Sequence, residues 1–177
     1  IFGLLAPGFK IKGGFILIEA LKVLKQKGYD FTARVIYPKH SKNLGVKTLV
    51  KLYNLTDNIE FLPQQKDIYE FYRSVDCLLA PSLEDTFNMA VLEAMAYSKP
   101  CIVSKNAGVH ELISDGINGF TFEIGNNNRK SAENLAEKMA FLIDNCSLYP
   151  KLSESAYHTA KEYSWDRAYK RFLADLP

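Results

Sequence analysis

Residues 77–104 read CLLAPSLEDTFNMAVLEAMAYSKPCIVS. Two apolar runs, CLLAP (77–81) and CIVS (101–104), flank a helical segment from Asn88 to Tyr97. Neither run alternates polar with apolar residues, as expected of strands covered on both faces. Strand, helix and strand in such quick succession indicate a parallel β–α–β unit with a right-handed crossover.

The same alternation extends outward in both directions. IFGLLA (1–6) is a strand, and 14–27 repeats apolar residues at Ile16, Leu17, Ala20, Leu21 and Leu24 with a helical period, stopped at Gly28. FTARVIY (31–37) is a strand ended by Pro38, 42–54 a polar helix, IEFL (59–62) a strand ended by Pro63, and 66–75 a helix with Asp67 near its first turn. After CIVS come a helical turn at 108–116, a strand at GFTFEI (119–124), a polar loop GNNNRKS (125–131) and helices at about 131–145, 149–163 and 165–175. The fold class expected is α/β: a single Rossmann-like, doubly wound parallel sheet of about six strands, with helices on both faces and a C-terminal helical tail.

Composition narrows the function classes. The chain has 177 residues, which suits one domain, and 47% are hydrophobic, an ordinary globular share. A net charge of +2 is too small to argue for nucleic acid or an acidic membrane surface. The aromatics fall at helical and strand periods and read as core, with little support for a nucleic-acid stacking surface. Cys77, Cys101 and Cys146 are widely spaced and match no zinc or redox motif, so they read as buried free thiols in a reducing compartment. No run reaches membrane-span length and no signal peptide is visible. The chain opens on an apolar strand without Met, which we read as a piece of a longer protein whose missing part lies upstream.

In sheets of this class, ligands bind beyond the carboxyl ends of the strands. Four loops are expected there, at 6–14, 62–66, 82–88 and 105–111. The first, APGFKIKGGF, combines glycines, Lys10, Lys12 and a helix start, and suits a phosphate; the alternative is a flexible loop with two solvated lysines. The second leads through Asp85, Thr86, Phe87 and Asn88 into the apolar helix, whose amides near Asn88 to Ala90 form a second anion site, with Asn88 a candidate N-cap. Glu93 sits one turn into that helix, among Met89, Ala90, Ala96 and Tyr97. A carboxylate there must find hydrogen-bond donors or stay protonated. A ligand hydroxyl would serve as donor; the alternative is an internal ion pair or a partly exposed Glu. Gly108 precedes a turn carrying His110 and Glu111, which either face the same cleft or are ordinary surface residues. No His, Cys and Asp cluster has metal-ligand spacing.

Residues 81–123 resemble the donor-binding half of the group 1 (family 4) retaining glycosyltransferases of the GT-B fold. Pro81-Ser82, an acidic residue, Phe87, the run Val91-Leu92-Glu93-Ala94-Met95-Ala96 and Pro100 carry the likeness, followed by Gly108, Glu111, Leu112, Gly116 and Gly119-Phe120. IEFLP, YRSVDCLLAPS, KGGFILIEAL and YSWDRAYKRF extend it over nearly the whole chain. The family's signature is two glutamates with seven residues between them. Counting back from Glu93 reaches Asp85, so the first acid is Asp here and Glu84 stands one residue out of register. A second departure is Leu4, where the family usually carries an Arg, for which Lys10 is a candidate substitute.

The resemblance implies that Asp85 and the amides of Thr86, Phe87 and Asn88 face a donor sugar. Glu93 would hold the nucleotide ribose, and Lys12 the donor pyrophosphate. Lys10, Gly13, Glu84, Met89 and Gly108 complete the expected donor site, with Asp85 and Lys12 as the residues closest to the chemistry. The implied substrate is a UDP-, GDP- or ADP-linked sugar, without a metal or other cofactor. The implied reaction is retaining glycosyl transfer to a saccharide or lipid-linked acceptor, in polysaccharide or glycolipid biosynthesis. Residues 1–177 would be the C-terminal nucleotide-sugar-binding domain, inactive alone and partnered by an N-terminal acceptor domain outside this chain. The implied location is cytoplasmic, with peripheral contact to the inner face of the membrane through the full-length protein. Two other readings are a GT-B-fold nucleotide-sugar epimerase and a non-catalytic scaffold domain of a polysaccharide assembly complex.

Overall fold

The computed structural model describes residues 1–37 and 44–174. Pro38, residues 42–43 of the expected second helix and residue 175 of the expected last one lie outside the described residues. Six strands form one sheet: β1 (Phe2–Leu5), β2 (Ala33–Ile36), β3 (Ile59–Leu62), β4 (Cys77–Ala80), β5 (Cys101–Ser104) and β6 (Gly119–Phe122). The helices are α1 (Gly14–Gln26), α2 (Leu44–Leu52), α3 (Tyr69–Arg73), α4 (Met89–Ala96), α5 (Asn128–Asp144), α6 (Tyr149–Glu162) and α7 (Trp165–Ala174). Strand order is β3-β2-β1-β4-β5-β6, every pair parallel. This is the Rossmann-like α/β sheet with a helical tail expected from the sequence.

The inner strands β1, β4 and β5 are almost wholly apolar because both faces are covered, whereas at the β2–β3 edge Arg34 pairs with exposed Glu60 at 3.0 Å, a departure from the expectation of strands apolar throughout. On one face Phe2, Leu4, Val35, Cys77, Leu79, Ile102 and Phe120 pack with α1, α2 and α5. On the other, Leu78, Ala80, Cys101 and Val103 pack with Phe71 and Tyr72 of α3, Val91 and Met95 of α4, and Ala156 and Ala160 of α6. Adjacent strand residues therefore serve opposite cores, as the two-residue side-chain period requires.

Three expected boundaries move, each for a local reason. The polar loop at 125–131 is shorter than expected, because α5 already begins at Asn128. The Asn127 side chain caps it by accepting the Lys130 N–H at 2.9 Å. The helical turn at 108–116 is a 3₁₀ turn over Gly108–Leu112 only. Beyond it, buried Asn118 closes the chain on itself: its carbonyl accepts the Ser114 N–H, and its amide donates to Leu112 O and to Thr159 Oγ1 of α6. Helix α3 starts at Tyr69 instead of 66, with Asp67 accepting the Tyr69 N–H at 2.9 Å.

The order of strands places the site. The order in which strands are added reverses between β1 and β4, so the loops after these two parallel strands leave neighbouring positions at the carboxyl edge and open a crevice there. Those loops are 6–13 and 81–88.

Candidate functional site

Backbone contacts lock the two switch-point loops together. Leu83 N–H donates to Ile11 O at 2.9 Å. Gly13, with φ of 75°, lies so close to the end of β4 that a Cβ there would sit 1.8 Å from Pro81 O. Only glycine allows both that left-handed backbone and that approach. A third loop closes the rim. Asp85 N–H donates to Asn106 O, Gly108 N–H to Asp85 O and Val109 N–H to Phe87 O, at 2.9–3.2 Å. Ser104 Oγ donates to Ser82 O at 2.6 Å, and Asn106 Nδ2 to Leu83 O at 2.9 Å. A Cβ on Gly108 would stand 2.1 Å from Thr86 O, so this glycine also serves close backbone contact. Its N–H is already used, so its role here is in the frame of the loop.

Within this frame Lys12 Nζ meets Asp85 Oδ2 at 2.5 Å, each side chain largely sheltered. Ser82 Oγ, buried, stands 3.5 Å from the same carboxylate oxygen, and Asn88 Nδ2 donates to Ser82 Oγ at 3.3 Å. The backbone N–H groups of residues 86–90 donate to no acceptor among the described residues. They run along the loop into the first turn of α4. The expectation that the Asn88 side chain caps α4 needs correcting. Asn88 does occupy the N-cap position, but with a left-handed backbone (φ 75°, ψ 74°), and its side chain makes no cap bond. Its amide turns to Ser82 instead, which leaves the first-turn N–H groups open.

Glu93 follows the open alternative to a ligand donor. It is exposed, although its helix buries Val91, Ala94 and Met95. It has found its donor inside the protein: the hydroxyl of Tyr72 bonds Glu93 Oε2 at 2.6 Å. Burial, and then that bond, push the Tyr72 phenol well above its ordinary range, so it acts as a donor. Beyond Glu93 lies a groove of about 480 Å³ between α4, α6 and α7, lined among others by Phe87, Met89, Lys161 and Trp165.

The other candidates divide. Thr86 and Met89 are exposed at the rim, and Phe87 is half-buried. Glu84 is exposed and its side chain bonds nothing among the described residues, in keeping with Asp85 being the acid in register. Lys10 is exposed and makes no side-chain bond among the described residues, while Leu4 is core. His110 Nδ1 lies 2.9 Å from Ala107 O and serves its own turn, and Glu111 is exposed. Among the described residues no group of three or more His, Cys, Asp or Glu side chains could hold a metal ion, and no helix is long and apolar enough to cross a membrane.

Sequence reasoning missed Tyr72, Ser82 and Asn118. Ser82 comes two residues after the end of β4, on the loop at the carboxyl edge where such sheets hold their ligands. Tyr72 carried a weaker signal, as a phenol on the buried face of a short helix that ends just before a core strand.

Residues 5–159 match the family model described as Glycosyl transferases group 1. An uncharacterized glycosyltransferase of Methanocaldococcus jannaschii is 33% identical over 173 residues, covering 94% of this chain and 45% of that protein. The D-inositol 3-phosphate glycosyltransferase of Salinispora tropica is 27% identical over 173 residues, covering 92% and 35%. This chain thus spans less than half the length of these relatives. Among solved structures, a glycosyltransferase from Rickettsia africae superposes with TM-score 0.83 at 28% identity, covering 98% of this chain and 46% of that one. The C-terminal domain of a group 1 family glycosyl transferase from Francisella tularensis gives 0.78 at 28%, covering 93% and 86%. An Anabaena protein solved in complex with UDP shares the fold, with TM-score 0.82 at 21% identity, covering 99% and 48%.

Proposed function

The chain belongs to the group 1 glycosyl transferases, and on that basis we propose that the crevice between β1 and β4 binds a nucleotide-sugar donor for retaining glycosyl transfer to a saccharide or lipid-linked acceptor. The observation that carries this reading is the Lys12–Asp85 pair set beside open N–H groups at residues 86–90. A cation and an undonated run of amides at a helix start form an anion site. A carboxylate beside them, itself held by Lys12, suits a neutral polyol better than a second anion. A diphosphate with a sugar attached has both properties. That an Anabaena protein of this fold holds UDP accords with the reading.

In the proposed reaction the bond between the anomeric carbon and the diphosphate oxygen breaks, a new bond forms to the acceptor hydroxyl oxygen on the same face of the sugar, and the proton of that hydroxyl passes to the departing diphosphate. Negative charge develops on the leaving diphosphate. Lys12 and the open amides stabilise that charge where it grows, a form of electrostatic catalysis that works through this chain's own groups. Asp85 orients the sugar and Glu93 the ribose. The acceptor would be brought by a second domain outside this chain. The relatives are named as glycosyltransferases, which leaves the epimerase and scaffold readings without an observation in their favour.

Titration calorimetry of the chain with UDP, GDP and ADP, and with their glucose conjugates, tests the proposal. Binding of one of them, lost in Lys12→Ala, is the expected result. No heat from any of the six at millimolar concentration would overturn it.

A further inference from the structure

We propose that Tyr72 is the positioning residue that makes Glu93 selective for a ribose diol, an inference that rests on the nucleotide-sugar reading above. Glu93 is an exposed residue on α4, and an exposed glutamate ordinarily samples many rotamers. Here one of its oxygens is fixed. Tyr72 is fully buried, its hydroxyl lies 2.6 Å from Oε2, and no donor among the described residues reaches Oε1. The carboxylate is thus held at one oxygen and open at the other.

The anchor is itself rigid. The Tyr72 ring stacks on Tyr97 with centroids 5.7 Å apart and planes 21° apart, and it meets Phe71 edge-on at 5.9 Å. Tyr97 lies one helical turn beyond Glu93, so Tyr72 grips α4 at two points four residues apart. Tyr97 in turn stacks on Tyr69 at 5.5 Å. A neutral phenol donor leaves the full charge on the carboxylate, and it occupies one acceptor position on Oε2. The acceptor positions that remain face outward with fixed direction. Two vicinal hydroxyls, as in a ribose, match that set. A single hydroxyl matches half of it.

The test is calorimetry with the nucleoside diphosphate that the wild-type chain binds, against its 2′-deoxy counterpart, for wild type, Tyr72→Phe, Glu93→Asp and Glu93→Ala. Melting curves run alongside. We expect the wild type to prefer the ribonucleotide, Glu93→Ala to lose the preference, and Tyr72→Phe to lose most of it while binding the deoxynucleotide nearly as wild type does. Removal of one hydrogen bond to a charged group predicts a change of about tenfold in the preference. Glu93→Asp, whose shorter side chain cannot hold both partners, should behave like Tyr72→Phe and serves if that variant fails to fold. A Tyr72→Phe chain that melts earlier but keeps the full preference overturns the inference and leaves the Glu93 reading intact. A Glu93→Ala chain that keeps the preference overturns both the ribose role and the inference. A wild type that binds no nucleotide removes the function reading, and the inference with it.

Discussion

Lys12 Nζ and Asp85 Oδ2, 73 positions apart in sequence, stand 2.5 Å from each other across the switch point of the sheet. The pair forms because β1 and β4 are neighbours and Gly13 lets one loop lie against the other. It sets the two candidate residues of the site against each other. On the proposed reading, a diphosphate would draw Lys12 away from Asp85, and the sugar would then satisfy the released carboxylate.

The two partners therefore predict opposite effects on a nucleotide that lacks a sugar. Lys12→Ala removes a charge-assisted bond of about 1.5–3 kcal/mol, so nucleoside diphosphate affinity should fall roughly tenfold to a hundredfold. Asp85→Asn frees Lys12 from its partner, and affinity for the bare diphosphate should hold or rise by a few fold. Transfer from the intact donor should nonetheless fall by about 10²–10³ if Asp85 orients the sugar. Calorimetry with the diphosphate and rate measurement on the protein with its acceptor domain read the two effects separately. Loss of diphosphate affinity in Asp85→Asn would contradict the opposed arrangement.

Gly13 and Gly28 offer a matched comparison. Both have positive φ, 75° and 81°, but a Cβ on Gly28 would meet nothing within 4 Å whereas one on Gly13 would collide with Pro81 O. Gly28→Ala should cost about 1 kcal/mol from backbone strain alone. Gly13→Ala adds the collision and should cost roughly 2–4 kcal/mol more. Urea unfolding of the two variants gives the difference directly. Equal costs would show that the loop does not depend on this close approach.

These contacts also show how far the sequence could be read. The fold was legible because each β–α–β crossover leaves its mark in order, and because apolar runs such as Leu78-Leu79-Ala80 can be satisfied only between two helical layers. Glu93 drew notice as a carboxylate among apolar neighbours, and Asp85 through the seven-residue spacing of the family signature that the sequence resembles. The orientation of Asn88 was not, because its left-handed backbone depends on the neighbouring loop at 105–109. Tyr72 was hidden for a related reason. Its partner Glu93 lies 21 residues away on another helix, and nothing in the local pattern of α3 marks a polar bond. The start of α5 was placed too late, at 131 instead of Asn128, because three successive asparagines read as loop and any of them could cap a helix.

Asn118 should matter for stability and leave the site untouched. It is buried, and its side chain makes three hydrogen bonds, two that close the turn after the 3₁₀ segment and one that ties it to Thr159 of α6. Asn118→Ala strands the Ser114 N–H and the Leu112 carbonyl, and should cost about 2–4 kcal/mol. Nucleotide affinity of the folded fraction should be unchanged. A variant as stable as wild type would mean that water replaces these bonds freely.

Alkaline pH should unfold the chain for reasons that can be traced to two thiols. Cys77 and Cys101 are fully buried, and burial pushes both well above the ordinary value of 9.0. Above pH 9 the unfolded chain loses these protons and the folded chain keeps them. The unfolded state then binds fewer protons, so stability falls as pH rises. The contribution is complete below pH 9 and declines above it by about 1.4 kcal/mol per pH unit for each thiol. Tyr72 and Tyr149, raised above 10.0 chiefly by burial, steepen the decline from pH 10 upward. Urea midpoints should be level between pH 7 and about 8, then drop between about 9 and 10.5. Cys101→Ala should lower stability at pH 7 yet remove one thiol's share of the slope. If its slope between pH 9 and 10.5 matched wild type, buried Cys101 would not be the source of the alkaline loss.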